Sequence, residues 1–185
     1  MSIPVPSDVV RACVVSGELN THYYRAGRGQ PVLVLIADNS LLWSVLATMP
    51  RHVRALAPEP PRAVLASDRA IDRDTGAFAA WVRSFLDALG LQQTAVIADA
   101  AFAPAALGFA RADQERVSRL VLLQRGSRDA PQSVWGITGQ HVAEPALLVA
   151  WLPAKSETGI EHLVSHIVDF IGGQAPDADG EHSRK

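Results

Sequence analysis

The chain has 185 residues, 48% apolar and 19% charged, the balance of an ordinary globular domain rather than of a disordered or fibrous chain. Seventeen basic against nineteen acidic residues give a net charge of −2 with no basic stripe, which points away from a nucleic-acid binder. The single cysteine, Cys13, excludes an internal disulfide or a zinc site of several thiolates, and no apolar run reaches the roughly 18 residues of a membrane helix.

Val9 to Val15 and Leu19 to Tyr24 read as two strands, and Gly17-Glu18 between them suits a hairpin. A breaker-rich stretch, Arg25 to Pro31, leads into Val32 to Ile36. That continuous apolar run fits a strand buried on both faces of a parallel sheet. Leu41 to Met49 predicts a short helix ending at Pro50, and His52 to Ala57 a short strand closed by Pro58, Pro60 and Pro61. Residues 62–73 read as irregular. Phe78, Trp81, Val82, Phe85, Leu86 and Leu89 then recur at helical spacing. Asp74 or Thr75 can cap that helix and Gly90 can end it.

Thr94 to Ala98 predicts a buried strand, and Phe102 to Ala110 an alanine-rich helix with Pro104 in its first turn. Leu120 to Leu123 is a strand, residues 124–144 a loop, and Ala146 to Trp151 a last buried strand. The final helix carries Ile160, Leu163, Val164, Ile167, Val168 and Ile171 on one stripe and stops at Gly172-Gly173. Residues 173–185 lack large apolar side chains, so a disordered tail is expected after a single domain over 1–172. Strand–helix alternation implies an α/β domain: a mostly parallel sheet with helices on both faces.

Four stretches, taken in order, resemble the α/β-hydrolase family. Gly17 to Gly27 is similar to that family's second strand, which ends in an Ala-Gly turn. Val53-Arg54-Ala55-Leu56-Ala57-Pro58-Glu59 is similar to its V-x-A-P-D strand end. Phe85 to Leu91 resembles the helix leading into the nucleophile strand, and Glu115 to Leu123 the E-R-V-x-x-L-V-L-L segment after the elbow helix. The match spans roughly residues 9–124, with weaker support over 145–172. The resemblance implies an α/β-hydrolase-like fold, here without a cap domain.

The family places its nucleophile in G-x-S-x-G, a strained strand-to-helix turn. The family's spacing back from Glu115 puts that position at Ala100, inside Ala98-Asp99-Ala100-Ala101-Phe102. Alanine has no nucleophilic atom, and Phe102 stands where the last glycine would allow a close approach, so a relaxed turn is expected. The family's His-Gly after its third strand is matched by Ile36-Ala37-Asp38-Asn39. After the strand matched by Leu147 to Trp151, no carboxylate occurs before Glu157, and the histidine-bearing strand and loop look deleted. Nucleophile, base and oxyanion hole act as a unit, so losing them together leaves little of the mechanism.

Several constellations remain. Haloalkane-dehalogenase-type relatives use an aspartate nucleophile at the elbow; Asp99 lies one position before Ala100, and a one-residue slip would place it there, which makes Asp99 the candidate catalytic residue. The alternative is a strand-end carboxylate bonded to backbone amides of the next helix. Asp38 and Asn39, at the end of a central strand, are candidate binding residues, with helix capping as the competing role. His162, His166 and Asp169 share one helix side that could hold a metal, but that side is opposite the apolar stripe and reads as solvated surface. Ser127 or Ser133 with His141 and Glu144 form a loop set with no template, and Cys13 reads as a small packed hydrophobe. Trp135, in Ser133-Val134-Trp135-Gly136-Ile137, is a candidate interface anchor, with packing over the truncated site as the competing role.

The sequence therefore predicts a hydrolase-like protein without catalysis, acting in binding or assembly. The second reading is a divergent hydrolase of a small ester, thioester or halide, using Asp99 or a partner-supplied residue. No cofactor and no metal are expected. The expected partners are a second copy, another protein or a small acyl-type ligand, with no nucleic acid and no membrane span. The opening MSIPVPSDVV lacks the basic-then-apolar order of a secretory signal, so a cytoplasmic location is expected.

Overall fold

The computed structural model describes residues 6–61, 75–125, 146–152 and 157–172. Expectations for residues 62–73, for most of 124–144 and for the 173–185 tail lie outside the described residues, as do Trp135, Ser127, Ser133, His141 and Glu144.

The chain opens with β1 (Val10–Ser16) and β2 (Leu19–Ala26), then β3 (Gln30–Leu35), α1 (Asn39–Thr48) and β4 (Val53–Pro58). It continues through α2 (Thr75–Ala88), β5 (Thr94–Asp99), α3 (Ala103–Ala112), β6 (Val117–Arg125), β7 (Ala146–Leu152) and α4 (Glu157–Ile171). The seven strands form one sheet in the order β1-β2-β4-β3-β5-β6-β7. β2 runs antiparallel to both β1 and β4, and every other pairing is parallel.

The apolar runs of β3, β5 and β6 are continuous because both faces of each strand are covered. Leu33, Leu35, Val96, Ala98, Leu120 and Leu122 face α2 and α3, where Phe85 and Phe109 are fully buried. Val32, Val34, Ala95, Ile97, Val121 and Leu123 face α1 and α4, against Val45, Leu46 and Ile167. Removing one such aromatic side chain costs about 3–5 kcal/mol in a packed core. Trp81 belongs to the first layer, and its Nε1 donates to Thr21 Oγ1 at 3.1 Å.

Three sequence expectations change. β6 begins at Val117 rather than Leu120, because its ladder to β5 starts at the Thr94–Val117 pair and tolerates Arg119, whose guanidinium lies 5.2 Å from the Phe170 ring. It also runs on to Arg125, paired with Leu152 of β7, where a loop was expected from 124. Cys13 is exposed rather than packed: in the edge strand β1, Ala12 and Val14 turn toward the α2 layer and Cys13 to the other face.

The Ala-Gly turn after β2 needs glycine for a stated reason. Gly27 has φ +68°, and a Cβ there would meet the Val53 carbonyl oxygen inside contact distance. The next amide, Arg28 N–H, donates to Arg51 O at 2.8 Å. Gly27→Ala is therefore expected to lower the unfolding free energy by about 2 kcal/mol or more. The readout is a lower urea midpoint at unchanged m value; an unshifted midpoint would show that the turn accepts a side chain.

Candidate functional site

The ends of β3 and β5 are where the sheet hands the chain to helices, and the first amides beyond each strand need acceptors. β5 stops at Asp99, and Ala100, Ala101 and Phe102 turn the chain into α3. Phe102 stands at the N-cap and offers no side-chain acceptor. Asp99 supplies it instead: its Oδ1 accepts from Ala101 N–H at 3.0 Å and Phe102 N–H at 3.1 Å. Its Oδ2 accepts from Ala37 N–H at 2.8 Å, on the loop between β3 and α1. The carboxylate is buried at the N-terminal end of α3. Ala100 is exposed beside it.

Asp38, the neighbour of Ala37, is the N-cap of α1. Its Oδ1 accepts from Ser40 N–H at 2.8 Å and Leu41 N–H at 3.2 Å. Asn39 is exposed at the first helical position and lines a cavity of about 430 Å³. Tyr24, Ala37, Trp43, Glu59 and Phe102 line it too, with the ends of β3 and β4 as its floor. Tyr24 and Trp43 meet edge to face, with ring centroids 4.6 Å apart. The structure thus brings Asn39, Ala37 and the Asp99 clasp to one end of the sheet.

Tyr24, Trp43, Glu59 and Phe102 were not singled out as site residues by the sequence. The available signal was positional: Glu59 directly follows a strand end, and Phe102 opens a helix at the carboxyl edge of the sheet, where open α/β sheets hold ligands.

The charges around the cavity are paired. Arg11 Nη2 lies 3.1 Å from Glu59 Oε2, and its guanidinium carbon 5.9 Å from the Tyr24 ring. Burial pushes the Tyr24 phenol above its ordinary 10.0, and Glu59 adds to this as hydrogen-bond acceptor and negative neighbour, against a smaller pull from Arg11.

On α4, His162 and His166 are exposed with their Nε2 atoms 3.2 Å apart. Among the described residues, no group of three or more His, Cys, Asp or Glu is placed to hold a metal ion. No described helix is long and apolar enough to cross a membrane.

With this geometry in place, solved structures give the fold a name. A carboxylesterase, CesB (YbfK) from Bacillus subtilis, matches at TM-score 0.54 and 19% identity, over 64% of this chain and 44% of that one. An epoxide hydrolase from an endophytic Streptomyces matches at TM-score 0.54 and 18% identity, over 64% of this chain and 38% of that one. A haloalkane dehalogenase, the DbeA-M1 loop variant from Bradyrhizobium elkanii, matches at TM-score 0.50 and 17% identity, over 63% of this chain and 40% of that one. This chain has the α/β-hydrolase fold, and the matched region spans about two fifths of the length of these structures. No family model and no curated protein matches the sequence.

Asp99→Ala is expected to cost about 2–4 kcal/mol of unfolding free energy, since the Ala37 and Ala101 amides lose their acceptor and Phe102 N–H keeps only the residue-99 carbonyl oxygen, at 3.1 Å. Faster hydrogen exchange at the Ala37, Ala101 and Phe102 amides would accompany it; unchanged exchange would show that the carboxylate does not hold them. For Tyr24 the sign follows from the raised value. The protonated phenol is favoured in the folded state, so its stability contribution is full below 10 and is lost as pH rises through the folded-state value. Urea titrations between roughly pH 9 and 11 should show a shallower alkaline decline for Tyr24→Phe than for wild type. Equal slopes would contradict this.

Proposed function

We propose that this protein does not hydrolyse substrates and instead binds a small molecule in the cavity at the carboxyl end of its sheet. The observation that carries the reading is the state of the elbow. The position matching the family's nucleophile is Ala100, and both oxygens of the neighbouring Asp99 are engaged by three backbone amides. A carboxylate held in this way is a poor nucleophile, because attack on carbon requires giving up charge-assisted hydrogen bonds worth about 1.5–3 kcal/mol each.

The same three bonds bear on electrophilic assistance. In this fold the oxyanion is held by the amide after the nucleophile and by one from the loop after the third strand. The corresponding donors here, Ala101 and Ala37, both point at Asp99. Losing one such donor costs about 10²–10³ in rate; here the two sit on different oxygens, Ala101 on Oδ1 and Ala37 on Oδ2, and do not converge on one oxyanion, which supports a non-catalytic reading. The cavity supports binding: it lies within the size range of small-molecule sites and combines apolar walls with a few polar groups.

The test is turnover of nitrophenyl acetate and nitrophenyl butyrate by purified protein. The expected rate is that of buffer. Turnover above buffer that disappears in Asp99→Asn would overturn the proposal and make Asp99 a nucleophile.

A further inference from the structure

We propose that Asp99 sets the selectivity of the cavity: by filling the amide cradle with its own carboxylate, it restricts the site to uncharged, largely apolar molecules. This rests on the binding role proposed above and names the ligand class.

Amides converging at the start of a helix form an anion site by default. In this chain the cradle of Ala37, Ala101 and Phe102 already holds an anion, and two of those three residues, Ala37 and Phe102, line the cavity. A carboxylate or phosphate arriving there meets donors already engaged and a fixed negative charge behind them. Among the described residues the lining adds one acid, Glu59, and no Lys, Arg or His, so none of these side chains offsets the desolvation of an anion.

A cation fares little better. Glu59 is the charge it would seek, and Arg11 holds that carboxylate at 3.1 Å while its guanidinium lies near the Tyr24 ring. The remaining recognition is apolar and aromatic. Trp43 and Tyr24 meet at an edge-to-face angle of 87°, with Phe102, Val34 and Leu42 elsewhere on the wall. Asn39 offers an amide to one neutral polar group. About 430 Å³ accommodates a bicyclic aromatic with a short polar substituent.

The experiment compares three isosteric probes by calorimetry near pH 7: 2-naphthylmethanol, 2-naphthoate and 2-naphthylmethylammonium. Wild type should bind the alcohol about tenfold or more tighter than either charged probe, and Trp43→Ala should weaken alcohol binding. Asp99→Gly vacates the cradle and should raise naphthoate affinity about tenfold, closing or inverting the gap. Should circular dichroism show Asp99→Gly to be unfolded, Asp99→Asn tests the fixed charge alone, since it keeps an acceptor oxygen in the cradle, and should narrow the gap between alcohol and naphthoate. Wild type binding naphthoate or the ammonium as tightly as the alcohol would overturn the inference. So would a selectivity that survives both Asp99 variants, or alcohol binding indifferent to Trp43→Ala. Failure of all three probes to bind wild type would overturn the binding role itself, whereas a reversed preference would sink only the ligand class.

Discussion

Three backbone N–H groups from two different loops converge on one carboxylate, and the shape of the carboxyl end of the sheet depends on that convergence. β3 and β5 are neighbouring strands buried on both faces. The first amides beyond each strand have no ladder partner, and although Ala37 and Ala101 are themselves exposed, their N–H groups are taken up by Asp99. One side chain satisfies both loops. That arrangement releases the α3 N-cap position from its usual duty. Phe102 can stand there with no acceptor of its own and turn its ring inward, 6.1 Å from Phe78. Asp38 does the ordinary capping for α1 one residue beyond Ala37, so adjacent residues divide the work: Ala37 gives its amide to Asp99, and Asp38 supplies oxygen to its own helix.

The second acid at this end follows the same logic of engagement. Glu59 just past β4 is met by the Arg11 guanidinium from β1 and is the hydrogen-bond partner credited with part of the rise in the Tyr24 phenol value. Both side chains are about half exposed, 55% for Arg11 and 43% for Glu59, so the pairing fixes where these charges sit more than it stabilises the fold. A site with a hydroxyl nucleophile needs the reverse arrangement, with donors left free and aimed at charge that develops only in the transition state. The proposed binding role is consistent with a site whose donors and charges are engaged before any ligand arrives.

Much of this fold was legible in the sequence, because periodicity reports burial. The runs Val32 to Ile36 and Ala95 to Ala98 are apolar at every position, which happens when both faces of a strand are covered, and both are central strands. The stripe from Phe78 to Leu86 marked a helix packed on one side, and its residues are all buried. What failed to show is what depends on neighbours distant in sequence. The ends of β6 are set by pairing to Thr94 and Leu152, which no local pattern around Val117 or Arg125 encodes. Cys13 faces outward because β1 is an edge strand, a property of strand order rather than of the residues beside it. The cavity escaped for the same reason. Tyr24, Trp43 and Glu59 come from β2, α1 and the end of β4, and only the sheet order brings them together.

Asp99 lies between these cases, and it shows where fold and chemistry separate. Its strand-end position and a bond to the amides of the following helix could be anticipated from the pentad alone. The bond from Ala37, 62 residues away, could not. That third bond carries the argument about mechanism. With amides of its own turn alone, Asp99 would be a capping residue beside an otherwise open site. By taking the Ala37 amide as well, it engages the donors from both loops that this fold uses to hold an oxyanion. On the proposed non-catalytic reading, Ala100 at the elbow and Asp99 on those amides are two parts of one arrangement. Restoring a hydroxyl at position 100 alone would supply an attacking atom with nothing free to stabilise the charge it creates. Groups that act as a unit are lost, and regained, together.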